Sequence, residues 1–468
     1  MRANPLEPTM WPRCSHEPWA LPGVMQMLRF SLLAFVFAGL YALPAAALEG
    51  DLDPAFGEGG QVAIIREAAE TGNGTRPTGD LAILADGRFL WAVPLDDGSV
   101  WVGRMKRDGT PDAFGSLGNG RVTIPACGPS RNARLIANGD GGAIAWASNC
   151  LVHVMADGSI DPAFAGGALP PAGFSASGFA RDSSGRLVLA GKAGQEIDLY
   201  RFTSQGLPDF DFGVAGHVSV VVPTTDGTQD LHALALRADG RILVGGSRGN
   251  TMGPSLFVAQ YSVAGVLDST WSDDGIVDIE PPANHVSLVA TALALDADGS
   301  LVVSGVSSDG GESCCRMLAR FDDSGQLVPG FGMRIYSLDG LPGLFPFFEQ
   351  RDGIALLSDQ RIMLGAITFS HSAPFTHRTQ FSLIRTHADG SLDLGFGHSG
   401  WNSYTIDDPE DIGQYGDYNQ MHAIGYDSAD DSMVVLGRTF FEDKSNGNAY
   451  VSMVRALFGR IFSNGFDM

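Results

Sequence analysis

One short phrase recurs seven times along this chain and fixes its scale. It reads LDPAFG at Phe56, TPDAFG at Phe114, IDPAFA at Phe164, PDFDFG at Phe212, LDSTWS at Trp271, LVPGFG at Phe331 and LDLGFG at Phe396. The aromatic anchors are 58, 50, 48, 59, 60 and 65 residues apart, a period near that of one propeller blade. Each interval holds an alternating apolar run that turns at Asp-Gly or a close variant into a β-rich run, as in ALALRADGRILVG at 233–245. Alternation ending in Asp-Gly is a hairpin signal. A third run follows (LFVAQYSVAG at 256–265), then the anchor, then a fourth run such as GIVDI at 275–279. Four short strands joined by tight turns leave no room for a helix and make an antiparallel meander. Such a sheet cannot bury both faces alone, so units of this kind stack on one another.

The hairpins and the third strands each recur seven times as well, the hairpin AIGYDSADDSMVVLG at 423–437 being the most divergent. The ordered part of the chain opens on a fourth-strand sequence, QVAII at 61–65, and ends on the first three strands of a unit at about 421–455. These fragments complete one another. The expected fold is therefore all-β: a seven-bladed β-propeller of four-stranded antiparallel blades over 48–457, its N-terminal strand closing the last blade and removing an exposed edge. An eight-bladed ring or an open array is the alternative. The 61 Gly and 25 Pro fit a chain made mostly of turns between short strands.

The LDxxFGxxG segments and the DGR-I-L-V hairpins together resemble the delta-60 repeat proteins of bacteria. The resemblance covers about Gly50 to Leu457 and implies a β-propeller, with no established enzymatic activity. Ala165 in place of glycine, Trp271 in place of Phe and the extra residue before Phe212 depart from the pattern.

Residues 1–24 show no periodicity and are read as an over-extended start. Residues 25–47 read as a secretory signal peptide, with Arg29, an apolar run from Phe30 to Leu43, and Ala45-Ala46-Ala47 before the cut. The apolar run is short for a membrane anchor, and no later segment is long enough to span a bilayer. The protein is thus expected to be exported to the periplasm, the cell surface or the medium, and to be a monomer. Residues 1–47 hold three basic and two acidic residues, so removing them leaves 27 basic against 51 acidic, a net charge near −24. Nucleic acid is excluded as a partner on that balance, because its recognition relies on basic patches.

Cys14 precedes the signal, leaving Cys127, Cys150, Cys314 and Cys315. Cys127 follows a fourth strand and Cys150 opens a third strand nearby, so a Cys127–Cys150 disulfide is expected in an oxidising compartment. The adjacent pair 314–315 reads either as a vicinal disulfide or as two thiols.

No catalytic signature emerges. Gly245-Gly246-Ser247-Arg248-Gly249 matches G-x-S-x-G, but a strand follows where a nucleophile elbow needs a helix, so it reads as a glycine-rich strand end. Asp296, Asp298 and Gly299 read as a hairpin turn, since the later ligands of a calcium loop are missing. Nine His follow Ala47, scattered among units without an HExxH.

Segments that depart from the repeat carry the functional expectation, because ligand-binding residues gather on loops held by a rigid scaffold. They are 338–350, 370–380 and 406–420. Phe345, Phe347 and Phe348 read as an apolar contact patch or a cap on a blade interface, and Tyr415 and Tyr418 as further binding candidates. Asp407, Asp408, Glu410 and Asp411, with Asp417 close by, offer hard oxygen ligands for a cation such as Ca2+ or form a solvated loop. The tail 458–468, with RIFSNGFDM at its end, resembles short C-terminal sorting tags of exported proteins. The expected function is non-catalytic binding of a protein or carbohydrate ligand, or surface association. A secreted hydrolase or lyase with a metal in the central channel is the alternative, and acidic or His side chains converging on the channel would favour it.

Overall fold

A computed structural model of the chain describes residues 49–66, 78–95, 97–128, 132–147, 149–164, 170–171, 173–194, 196–220, 229–249, 253–309, 315–337, 344–347, 353–371, 377–408, 411–415, 418–440 and 449–458. The start 1–24, the signal segment 25–47, Cys14 and Cys314, and the tail beyond Phe458 lie outside the described residues.

Seven antiparallel sheets form the blades and match the seven repeats, and one small two-stranded sheet lies beside them in sequence. Blade 1 runs Asp80–Ile83, Phe89–Pro94, Val100–Met105, Arg121–Ile124. Blade 2 runs Ala133–Ala137, Ala143–Ala147, Cys150–Val154, and the segment where its fourth strand is expected, 165–169, lies outside the described residues. Blade 3 is Ser175–Arg181, Leu187–Ala193, Glu196–Phe202, His217–Val220, and blade 4 is Gln229–Leu236, Ile242–Arg248, Ser255–Tyr261, Ile276–Ile279. Blade 5 is Ser287–Leu295, Leu301–Ser308, Cys315–Phe321, Met333–Ser337. Blade 6 has Leu344–Phe347 and Ile354–Leu356 side by side on Ile362–His371, then His377–Thr386 and Trp401–Tyr404. Blade 7 is Tyr418–Asp427, Ser432–Phe440, Ala449–Leu457, with Gln61–Arg66 antiparallel to Ala449–Leu457 as the fourth strand. Each blade's first strand touches the first strands of both neighbouring blades, all the way round from blade 7 to blade 1. These first strands therefore line the axis of a closed ring.

The hydrophobic core follows from the sheet chemistry. A meander of alternating residues buries its two faces against two neighbours, and seven apolar clusters result, one in each interblade layer. Phe257 and Tyr261, for instance, meet Leu199 and Phe212 between blades 3 and 4.

The recurring phrase has a specific structural task. Its Asp lies eight residues after a polar residue of the third strand and donates its backbone N–H to that residue's carbonyl, as in Asp209 to Arg201 (2.9 Å) and Asp393 to Arg385 (3.0 Å). The side chains close the same link. Arg201 Nε donates to Asp209 Oδ2 at 2.7 Å, Arg104 to Asp112 at 2.7 Å and Arg385 to Asp393 at 2.8 Å. Each guanidinium also lies over the anchor ring, 4.6 Å from Phe212, 4.8 Å from Phe114 and 4.7 Å from Phe396. The same Arg then reaches the next blade. Arg104 Nη1 donates to the carbonyls of Gly141 and Ala156, and Arg201 Nη1 to that of Val263. Burial works against charge on Asp112, but hydrogen bonds from Arg88, the Ala113 N–H and Arg104 hold its carboxyl below the ordinary range. Blade 4 uses Gln260 in place of Arg, and blade 2 uses His153. In blade 5 the Asp position holds Val328, and Arg320 turns to Asp296 instead.

Candidate functional site

An antiparallel meander sorts its connections by end. Turns between first and second strands and between third and fourth strands leave from one end of every blade. Those between second and third strands, and those leading to the next blade, leave from the other. The first end is the repeated one, built from Asp-Gly turns and from the Arg, Asp and aromatic cages. The second end carries all three segments singled out in the sequence.

Leu344–Phe347 is a strand, with Phe345 opposite Phe369 and Phe347 opposite Ile367 on the second strand of blade 6. Thus part of 338–350, expected as a loop insertion, extends the axial edge of a blade. Phe348 and the side chains of Phe345 and Phe347 lie outside the described residues. Asp407–Asp408 and Asp411–Tyr415 pair as a small hairpin between blades 6 and 7, Asp408 opposite Asp411 and Asp407 opposite Tyr415. The acidic segment, read as a loop, therefore holds regular structure that brings two of its Asp residues into register. Tyr418 opens the first strand of blade 7 opposite Phe440. Glu410, Asp417 and the side chains of Asp407, Asp408, Asp411, Tyr415 and Tyr418 lie outside the described residues. Among the described residues no three His, Cys, Asp or Glu side chains gather as a metal ligand set.

Cys127 and Cys150 are joined, with Cα atoms 5.7 Å apart. The bridge ties the connection leaving blade 1 to the third strand of blade 2 at the variable end. Cys315 is also disulfide-bonded, and its partner lies outside the described residues. Ser247 sits buried in Ile242–Arg248, within a strand, and Asp298 accepts the Ser300 N–H (2.8 Å) in a hairpin turn.

The structure adds a feature that the sequence reading passed over, a polar belt around the axis. Four first strands carry a one-residue bulge near the variable end, at Ser177, His232, Thr291 and His422. A bulge leaves one residue out of register and re-aims its side chain. In blade 6 the same place is where the strand divides into Leu344–Phe347 and Ile354–Leu356. Blades 1 and 2 place Asp80 and Arg134 at this level.

The belt is tied from blade to blade. Asp80 Oδ2 accepts the Leu135 N–H at 3.0 Å, Arg134 donates to the carbonyls of Gly79 and Ser177 (both 3.4 Å), and Ser177 Oγ donates to the Leu231 carbonyl at 2.7 Å. Burial pushes the Asp80 carboxyl up, with Arg134 working against it, and burial pushes the Arg134 guanidinium down. His232 keeps part of its surface accessible but is densely enclosed, and burial takes its imidazole down to about 4, Asp230 opposing and Lys192 assisting. It is therefore neutral at pH 7. A neutral imidazole and hydroxyls can offer hydrogen bonds to a polar ligand. Asp80 is already committed to Leu135 and Arg134. The signal for this belt was a polar residue breaking apolar alternation five positions before the turn, as in LHALALRA and VATALAL.

The closed ring of seven antiparallel sheets defines the molecule as a β-propeller. No protein-family model matches the chain, and no curated protein matches it. Among solved structures it is similar to the β-propeller domain of Nup133 from Vanderwaltozyma polyspora, at 11% identity and a TM-score of 0.41 over 81% of this chain and 93% of that one. It is also similar to a subtype N11 neuraminidase-like protein of A/flat-faced bat/Peru/033/2010, at 11% identity and a TM-score of 0.40 over 88% and 97%. A third is the polysaccharide lyase Uly1, at 8% identity and a TM-score of 0.36 over 87% and 96%. At such identities and scores these neighbours say nothing about activity, and the architecture rests on the strand pairing itself.

Proposed function

We propose that this chain is an exported, non-catalytic binding propeller of the delta-60 repeat kind, which takes a protein or carbohydrate ligand at its variable end. One observation carries the reading: the three segments 338–350, 370–380 and 406–420 that depart from the repeat all emerge at the same end as the axial belt, while the other end is occupied by hairpin turns and structural cages. Ligand specificity is expected where a rigid ring presents variable segments. Phe345, Phe347, Phe348, Tyr415 and Tyr418 are the proposed contact residues, with Asp407, Asp408, Glu410 and Asp411 as ligands for Ca2+. The test is a glycan array together with a pull-down from the envelope proteins of the native cell, each run with Ca2+ and with chelator. Replacing 338–350 by the shorter connection that leads into blade 5, 280–286, should abolish capture while leaving a single cooperative thermal transition, the far-ultraviolet signal losing only the contribution of the short strand Leu344–Phe347. Capture that survives the replacement would remove the variable end from consideration. N-terminal sequencing of the exported protein should begin at Leu48.

His232 and His422 on the axial belt favour a second reading, a secreted hydrolase or lyase with a metal in the channel. Release of new sugar ends from a polysaccharide panel, lost in His232→Ala and His422→Ala and dependent on added Zn2+ or Ca2+, would replace the binding reading.

A further inference from the structure

One buried arginine of the axial belt lacks the counter-ion that the cage arginines have. Arg104, Arg201, Arg237, Arg385 and Arg455 are buried, and each is in ion-pair contact with a carboxylate, that of Asp112, Asp209, Asp323, Asp393 and Asp430 in turn. Arg134 is only 8% exposed, yet its acceptors are all backbone carbonyls: Ala133 at 2.8 Å, with Gly79 and Ser177 both at 3.4 Å. Among the described residues no carboxylate touches it. Buried charges are ordinarily paired. We propose that the missing partner is an anionic sugar, so that the variable end takes a glycan bearing a carboxylate or a sulfate ester. The proposal deepens the reading of that end as a binding face and rests on it.

The place of the guanidinium carries the argument. Arg134 stands on the first strand of blade 2, whose outer side is taken by Ala143–Ala147. A side chain that meets the backbone of both flanking blades, at Gly79 and at Ser177, therefore crosses the axial edge of its own strand and faces the channel. Nε and Nη1 are used on the three carbonyls. The N–H groups of Nη2 have no acceptor among the described residues, and that nitrogen keeps accessible surface. Asp80 answers Arg134 only across space, because its oxygens take the Leu81 N–H at 2.9 Å and the Leu135 N–H at 3.0 Å. A charged oxygen gains more from the open guanidinium edge than a neutral one does.

A second level of donors lies two residues nearer the mouth. There Thr78, Asn132 and Ser175, at the starts of blades 1, 2 and 3, form an arc: Thr78 Oγ1 donates to Asn132 Oδ1 at 2.9 Å, and Asn132 Nδ2 donates to Ser175 Oγ at 2.7 Å. Ser175 is exposed, and its own hydroxyl proton has no acceptor among the described residues. Two strand residues span roughly 7 Å. A sugar whose acid group lies on Arg134 can thus offer a hydroxyl or ring oxygen to Ser175. The acidic surface of the chain opposes any anion, but salt at 0.1 M screens that repulsion beyond about 10 Å and leaves the local donors to decide.

Calorimetric titration of the mature full chain tests this with trisaccharides of galacturonate, of glucuronate and of sulfated galactose, each beside its uncharged counterpart, the methyl ester or the unsulfated sugar. At least one charged trisaccharide should bind about 10- to 100-fold tighter than its counterpart, the worth of a hydrogen bond to a charged group. Which pair shows the difference tells carboxylate from sulfate. Arg134→Met should bring that pair to equal affinity, whereas Ser175→Ala should weaken both members alike, by about fivefold. If Arg134→Met does not fold, Arg134→Gln, which keeps donors for the carbonyls and loses the charge, takes its place. Equal affinities within all three pairs, no binding of any charged trisaccharide, or a charge preference that survives the loss of Arg134 would overturn the proposal. Capture of a neutral glycan or a protein that is lost on replacing 338–350, with no charge preference, would leave the binding reading standing and remove this one.

Discussion

Arg201 offers the sharpest test of the claim that the repeated phrase is an interblade clamp. Its side chain is 3% exposed and that of Asp209 is 11% exposed, so Arg201→Met leaves a buried carboxylate with its main partner gone. It also strips the Val263 carbonyl of its donor and the Phe212 ring of its cation. Leaving one buried charge uncompensated costs about 3–5 kcal/mol. Unfolding entropy scales with length, and a chain of this size loses roughly 0.9 kcal/mol of stability per degree near Tm. The expected fall in Tm is thus about 3–6 °C, if the ring unfolds as one unit. Asp209→Asn keeps an oxygen for the Asp211 N–H and removes the charge, so the double variant should be less damaged than the two single losses combined, by about 1.5–3 kcal/mol. Differential scanning calorimetry and urea titration on the four proteins close the cycle. A single-variant shift below about 1 °C, or additive losses, would refute the clamp.

Three further outcomes follow from the geometry. His232 binds a proton at 6.5 in the unfolded chain and at about 4 in the fold, so stability is lost as pH falls from 6.5 to 4, by about 3 kcal/mol at most; His232→Gln should flatten that part of a urea-midpoint profile against pH. Removing Cys127–Cys150, which spans 23 residues, should cost about 3 kcal/mol, read as a Tm shift between the unaltered protein and Cys127→Ser/Cys150→Ser, which leaves the bridge at Cys315 in place. Gly194 and Gly265 share left-handed φ values of 78° and 81°, yet a Cβ at Gly194 meets nothing within 4 Å, whereas at Gly265 it would lie 2.8 Å from Phe212 and from Val218. Gly194→Ala should therefore cost only the backbone strain of about 1 kcal/mol and Gly265→Ala clearly more in urea unfolding. Equal costs would show that packing under the anchor ring is loose.

What could be read from the sequence was whatever repeats with a fixed offset. Hairpin turns at Asp-Gly or a variant of it, strand alternation and the aromatic anchor each recur seven times, and the seven described sheets follow them. The cages recur at a fixed offset in part of the ring, with Arg104, Arg201 and Arg385 each eight residues before an Asp, but a third strand read only for alternation hides that relation. The disulfide was legible because both cysteines flank strand ends. The axial belt was legible only in part: Ser177, His232, Thr291 and His422 each stand five residues before the turn, but they share a level because each bulges, and a bulge has no compositional mark of its own. Asp80 and Arg134 reach that level without one. The small hairpin at Asp407–Tyr415 escaped notice because its composition is that of a solvated loop.

The seventh blade shows how far the repeat logic extends. Its third strand carries Arg455, and the Asp that answers it is Asp53 from the other end of the chain, 3.6 Å from Nε, with the Asp53 N–H donating to the Arg455 carbonyl at 2.8 Å. The turn joining third to fourth strand is present but cut. Gly50 N–H donates to the Leu457 carbonyl (2.8 Å) and Leu457 N–H to the Asp51 carbonyl (3.0 Å), as Gly206 and Thr203 do with Thr203 and Leu207 in blade 3. Gly50 lies under Phe396 as Gly265 lies under Phe212. Counting Phe458 as directly followed by Glu49 restores the eight-residue step from Arg455 to Asp53. A circular permutant fusing Phe458 to Glu49, opened within 67–77, should therefore fold without added residues. Deleting 49–66 instead removes the buried Phe56 and the strand beside Ala449–Leu457, leaving an open edge. We expect that truncation to aggregate and the permutant to stay within a few degrees of the unaltered Tm, since it breaks one connection and makes one. A permutant that fails to fold while the truncation stays soluble and monomeric would mean that blade 7 does not depend on the segment that completes it.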